Sequence, residues 1–170
     1  MATIAEISDA FQLLYSELHD REFRKTFAFT DWREQELLPL VRTFLLGYFG
    51  KVVPELKVRL PGRKFGRVDF LIDGVAVEFA VRRPLDGRHM ISASLNQSEI
   101  KKLMVYPGRA LLVLYDFSRD PYTKKRLQEY RDWPSLGQGN WKRSSFNVSY
   151  HHRGFGRSHT PASERLNVRI

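Results

Sequence analysis

A mixed α/β fold, with a central sheet flanked by helices in the order α-β-β-β-α-β, is predicted by three observations. Two stretches near the N-terminus place apolar residues at helical spacing. Three consecutive segments between Glu55 and Arg82 read as strands, and a nearly wholly apolar run, Ala110 to Tyr115, follows another short helical stretch.

Ile4, Ile7, Phe11, Leu14, Tyr15 and Leu18 recur every three or four residues, which predicts a helix over about 3–20. A second helix is expected from Asp31 to Phe49, on the stripe Leu37, Leu40, Val41, Phe44, Leu45 and Tyr48, with Gly50 as its stop. Pro39 should bend it, unless the helix begins late enough to hold Pro39 in its first turn. From Glu55 the period becomes two, with Leu56, Val58 and Leu60 alternating with Lys57 and Arg59 up to Pro61-Gly62. Val68 to Ile72 and Val75 to Arg82 form an expected antiparallel hairpin, because Asp73 and Gly74 both tolerate the positive φ of a tight turn. A polar loop from Pro84 to Met90 leads to a helix over Ser94 to Met104, capped by Ser94 or Asn96. Ala110 to Tyr115 reads as a strand buried on both faces, Pro121 to Arg131 as a helix and Ser145 to Tyr150 as a short strand. Residues 1–150 therefore read as one α/β domain, and 151–170 as a basic tail, mobile or ordered on a polyanion.

No apolar run is long enough to span a bilayer, and MATIAEISDAF lacks the basic and apolar regions of a signal peptide. The absence of cysteine excludes disulfides, thiolate metal sites and cysteine nucleophiles, and suits a reducing cytoplasm. A net charge of +9 attracts polyanions, so nucleic acid is the first expectation for a partner, with a plain solvated basic surface as the alternative. The basic residues gather at Arg59, Arg63, Lys64 and Arg67, at Arg82, Arg83 and Arg88, and between Trp141 and Ile170. Arg63, Lys64, Arg67, Arg83 and Arg88 are the candidate phosphate contacts.

Within GRVDFLIDGVAVEFAVRRP, Asp69 and Glu78 interrupt two apolar runs. They stand nine positions apart across the tight turn, so the hairpin can bring them together on one face. Unpaired buried carboxylates cost several kcal/mol, and a cation is expected if they face inward; pairing with Arg67 or Arg82 on an exposed face is the plainer reading. The element order and these acids resemble the PD-(D/E)XK nuclease superfamily, of restriction-endonuclease-like fold, over roughly residues 31–115. The resemblance implies Asp69 and Glu78 as ligands of Mg²⁺ or Mn²⁺, hydrolysis of phosphodiesters with DNA as the substrate, and compatibility with a homodimer. It also implies a third acid on the preceding helix. Glu34 lies close to that helix's apolar stripe whereas Glu36 points away, although Glu34 also fits a capping box with Asp31.

The lysine that the motif carries two residues after the Glu is Ala80 here. Three explanations are open: a displaced base, a degenerate site whose fold serves binding or assembly, or an inactivating substitution. Arg82 shares the Glu78 face and can act as an electrostatic stabiliser, Lys101 on the following helix is a candidate substitute base, and Gln97 occupies a place from which some branches of the superfamily contact the site.

Overall fold

In a computed structural model of the chain, residues 1–86, 96–121, 127–130, 141–142, 145–153 and 161–169 are described. The helices α1 (Ile4–Leu18), α2 (Arg21–Thr26), α3 (Glu34–Phe49) and α4 (Gln97–Val105) accompany six strands among the described residues. These are β1 (Val53–Arg59), β2 (Phe65–Ile72), β3 (Val75–Arg82), β4 (Arg109–Asp116), β5 (Ser145–His152) and β6 (Ala162–Arg169). They form one mixed sheet in sequential order, antiparallel from β1 to β3, parallel from β3 through β5, and antiparallel again at β6.

The expected helix, hairpin and strand order is present from α3 to β4. Asp73 and Gly74 form the β2–β3 turn, with φ of 46° and 78°. The sheet separates two apolar layers. On one side Val75, Val77, Phe79 and Val81 of β3 meet Phe11, Tyr15, Leu37 and Leu45 from α1 and α3. On the other, Ala76 and Ala80 meet Ile100, Leu103 and Met104 of α4. Alternation along β3 thus sends Glu78 and Arg82 toward the α4 side.

Three expectations need correction. The second helix starts at Glu34 rather than Asp31, so Pro39 sits sixth within it and not in its first turn. Its ring leaves the Gln35 carbonyl without the usual i+4 partner. Arg33 precedes the helix, and it is Glu36, not Glu34, that reaches back, accepting the Arg33 N–H at 2.6 Å. This frees Glu34 from capping. The stretch 151–170, expected as a tail, instead finishes β5 with His151 and His152 and supplies edge strand β6. Its pairing runs from Ser145↔Arg169 to His152↔Ala162, and its half-solvated residues, only one of them buried, explain why it read as irregular. Most of the helix expected over Pro121–Arg131 lies outside the described residues; of those described, Leu127 is helical and Gln128–Tyr130 is a 3-10 turn. Ser94 also lies outside them, and α4 begins after Asn96, whose side chain makes no capping bond. No helix among the described residues is long and apolar enough to cross a membrane.

Candidate metal and phosphodiester site

The β2–β3 ladder stops early. It comprises Phe70↔Val77, Leu71↔Ala76 and Ile72↔Val75, whereas β1 and β2 stay paired out to Arg59↔Phe65. Beyond Phe70, β2 follows β1 and parts from β3. Val68 then packs in the α4-side layer while Phe70 and Ile72, of the same parity, pack in the α1/α3 layer, so β2 rolls over at Asp69. Across from that point on β1, Glu55 holds φ at 53°, a conformation that costs a non-glycine residue about 1 kcal/mol or more.

Asp69 occupies the split. Its Oδ2 accepts the Phe79 N–H at 2.9 Å, giving that β3 amide a partner where the ladder has ended. Glu78, directly opposite in hairpin register, is 1% exposed. Its Oε2 accepts from Lys102 Nζ at 2.7 Å, and its Oε1, also buried, has no hydrogen-bond partner. Lys102 donates further to the Arg67 carbonyl at 3.0 Å.

The lysine reaches Glu78 through a gap left by Gly66. A Cβ at that position would stand 2.8 Å from Lys102 Cγ and 3.0 Å from Cδ, so only glycine leaves the stem its path. Helical spacing alone hides this contact. Ile100, Leu103 and Met104 define the buried face of α4, and at about 100° per residue Lys102 falls on the far side. It is covered because α4 touches β1 and β2 as well as β3, β4 and β5, the split hairpin curling over its flank.

Electrostatics mark the same place. Burial, reinforced by the Asp69 charge, pushes Glu78 up to about 9, against the opposing pull of Lys102. Glu34 is pushed up to about 7 by burial, then by Asp69 and Glu99, with Lys102 opposing. Burial also raises Asp69, while the Phe79 amide, Lys102 and the adjoining Glu78 carboxyl hold it down. Burial works against the Lys102 ammonium, but Glu78, Asp69 and Glu99 outweigh it and raise its pKa. A buried carboxyl beside a half-buried one cannot ionise cheaply together with it, so without a cation the pair keeps a proton.

These features bear on whether a divalent cation fits. Asp69 and Glu78 supply hard oxygen ligands, and Glu78 Oε1 is a buried acceptor with nothing to accept from. Among the described residues no three His, Asp or Glu side chains converge into a complete ligand cluster. Two protein carboxylates with remaining positions held by water and phosphate oxygens is an arrangement Mg²⁺ commonly uses. The donor set fits in that limited sense.

Of the other candidates, Arg82 is drawn elsewhere. Its Nη1 donates to Asp116 Oδ2 at 3.2 Å and to the Asp120 carbonyl at 3.0 Å, in a buried ion pair that also takes the Tyr150 hydroxyl at 2.6 Å. Shared strand parity did not make it a partner of Glu78. Lys101 is half-buried without a hydrogen bond or ion pair to the acids, and its neighbour Lys102 makes the contact instead. Gln97 opens α4 and makes no side-chain hydrogen bond among the described residues. Lys64 and Arg67 are exposed, Arg67 pairing with Glu55 at 2.8 Å, and Arg83 pairs with Asp86 at 2.8 Å. The Arg63 side chain and Arg88 lie outside the described residues. An open groove of about 700 Å³ runs from Asp69 between α3 and the β1–β2 pair, along Gln35, Leu38, Pro39, Arg42 and Pro54. Arg42, a cation the sequence pattern did not single out, lines it.

No known protein family, curated protein or solved structure matches this chain.

Proposed function

We propose that the chain is a metal-dependent nuclease of PD-(D/E)XK type with a restriction-endonuclease-like core, acting on DNA phosphodiesters, with Lys102 standing in for the lysine that Ala80 replaces. The observation that carries this reading is the 2.7 Å contact from Lys102 Nζ to Glu78, beside Asp69 at the mouth of the β2–β3 split. A salt bridge serving stability alone is poorly placed where Glu78 is buried with one oxygen unpaired and half-buried Asp69 stands beside it. The net charge of +9 and the basic residues around the β1–β2 turn suit a polyanionic substrate.

Asp69 and Glu78 would hold Mg²⁺ or Mn²⁺, which when bound neutralises charge on phosphoryl oxygens and lowers the pKa of a water. Lys102 fixes the orientation of Glu78 Oε2 and keeps a positive charge next to the acids. Glu34, whose pKa is about 7, can take or release a proton at its carboxyl near neutral pH, as a general base or acid must. Arg42 and the exposed Arg67 and Lys64 can position phosphates along the groove and beside it.

A binding protein without catalysis is the second reading, favoured by the lack of a three-acid cluster among the described residues. Incubation of supercoiled plasmid and of linear single-stranded and duplex DNA with the chain and Mg²⁺ or Mn²⁺ separates the two. The nuclease reading expects cleavage that Glu78→Gln and Lys102→Met each reduce by about a hundredfold or more, the scale on which loss of an acid–base or electrostatic group registers. Intact DNA with either metal, together with retained DNA binding, would establish the second reading instead.

A further inference from the structure

At the opposite end of the α1 layer, the C-terminal cap of α1 carries His19. Its ring packs between Tyr15 and Phe117, with centroid separations of 4.4 and 5.3 Å. Nδ1 lies 2.9 Å from the Tyr15 carbonyl, which can only accept, so Nδ1 carries the proton and neutral His19 presents a lone pair at Nε2. Nε2 is buried and has no hydrogen-bond partner. Arg153, just past β5, likewise buries an Nε that has no partner. Arg153 follows His152, the register partner of Asp116, and so comes alongside Phe117, on whose ring His19 packs. Arg119 lies two residues past Phe117, and Arg24 on α2 is, like Arg119, exposed and close enough for its charge to act on Arg153.

This is an unusual gathering. Among the described residues none of these three arginines forms an ion pair. The acid next to His19 in sequence, Asp20, is turned to the start of α2, accepting the Glu22 and Phe23 amides at 2.8 and 3.3 Å. Unpaired buried polar atoms are destabilising, and clustered like charges add repulsion. Burial, and then the neighbouring arginines, hold His19 down to about 4, so it offers the cluster no charge of its own at neutral pH.

We propose that His19, Arg24, Arg119 and Arg153 form a binding site for a phosphate monoester, with the exposed Arg24 and Arg119 at its rim and His19 and Arg153 at its floor. The ligand class follows from the donors and acceptors. Guanidinium groups match the several oxygens of a phosphate through charge-assisted hydrogen bonds. A cation would be repelled, and a carboxylate carries one charge on two oxygens. The lone pair at His19 Nε2 requires a proton, and a phosphate monoester monoanion brings one on its P–O–H, whereas a diester has none to give. The proton is shared between the phosphate oxygen and Nε2, and no bond to phosphorus forms or breaks. The site therefore selects a chain end or a free nucleotide over the interior of a nucleic acid strand.

The test is isothermal titration of the full chain at constant ionic strength with inorganic phosphate, a nucleoside 5′-monophosphate, and a short oligonucleotide carrying either a 5′-phosphate or a 5′-hydroxyl. Phosphate and the monophosphate should bind, and Arg153→Gln and His19→Gln should each weaken them at least tenfold. Arg24→Gln, on an exposed face of α2, guards against loss of fold and should weaken them severalfold. Tighter binding of the phosphorylated over the hydroxyl oligonucleotide identifies a strand end as the source; preference confined to the monophosphate identifies a free nucleotide. Failure of all the phosphate probes to bind, or binding that survives the arginine substitutions, overturns the proposal. The titrations contain a chelator and no divalent cation, which the nuclease reading requires, so the outcome is independent of that reading.

Discussion

Raising the pH should destabilise the metal-free protein, and Glu78 sets the size of the effect. In the folded chain this carboxyl keeps its proton up to about 9, whereas its ordinary value is 4.5. Between those values the folded state binds more protons than the unfolded one, so stability falls as pH rises. Each retained proton contributes a slope of about 1.4 kcal/mol per pH unit. Glu34 adds to it only up to about 7. Half-buried His19 and buried His151, held down to about 4 and about 3, act with the opposite sign, but only below their ordinary 6.5. Between about pH 7.5 and 8.5 Glu78 therefore stands almost alone, and because it shares its proton with Asp69 a net loss of roughly 1 kcal/mol over that unit is expected. Urea unfolding with a chelator present, at several pH values across the window, measures it directly. Glu78→Gln, neutral in both states, should flatten the profile, and Mg²⁺ should reduce the slope in the parent chain by replacing the proton. A level or rising profile, or an unchanged slope in Glu78→Gln, would refute the account of the pair as proton-sharing.

The remaining predictions concern the elements that place the site. Gly66→Ala puts a Cβ 2.8 Å from Lys102 Cγ and should displace the lysine, lowering any cleavage by about tenfold or more while shifting the urea midpoint little; equal activity would mean that Lys102 is not needed where it stands. Asp116→Ala removes the acid from a buried pair with Arg82 and should cost about 3–5 kcal/mol in denaturant unfolding without acting through the carboxylate site. Ala80→Lys in a Lys102→Met background asks whether the motif lysine can resume its place. Ala80 is 5% exposed against α4, so a stability loss of about 1–3 kcal/mol from overpacking is expected, with partial return of cleavage relative to Lys102→Met alone.

Much of the fold was legible because local patterns and tertiary needs coincide. The α1 stripe, the Asp73-Gly74 turn and the apolar β4 each have a period or a turn chemistry that admits few alternatives. The register of that turn also determines that Asp69 and Glu78 face each other, and so the pair of acids was readable before any coordinates. Strand β6 was not, because an edge strand that is half solvated carries too few apolar residues to declare a period. Lys102 was not either: its helical position points it away from the face of α4 that packs, and what buries it is the parting of β2 from β3 and the opening left by Gly66. Arg82 shows the converse, since parity placed it on the Glu78 face and Asp116, distant in sequence and adjacent across the sheet, claimed it. Sequence thus determined that the hairpin sets two acids side by side, through periodicity and turn geometry that act over a few residues. Tertiary structure decided which cation meets them, because a salt bridge depends on how far a strand diverges and which stem can pass, and neither quantity is local.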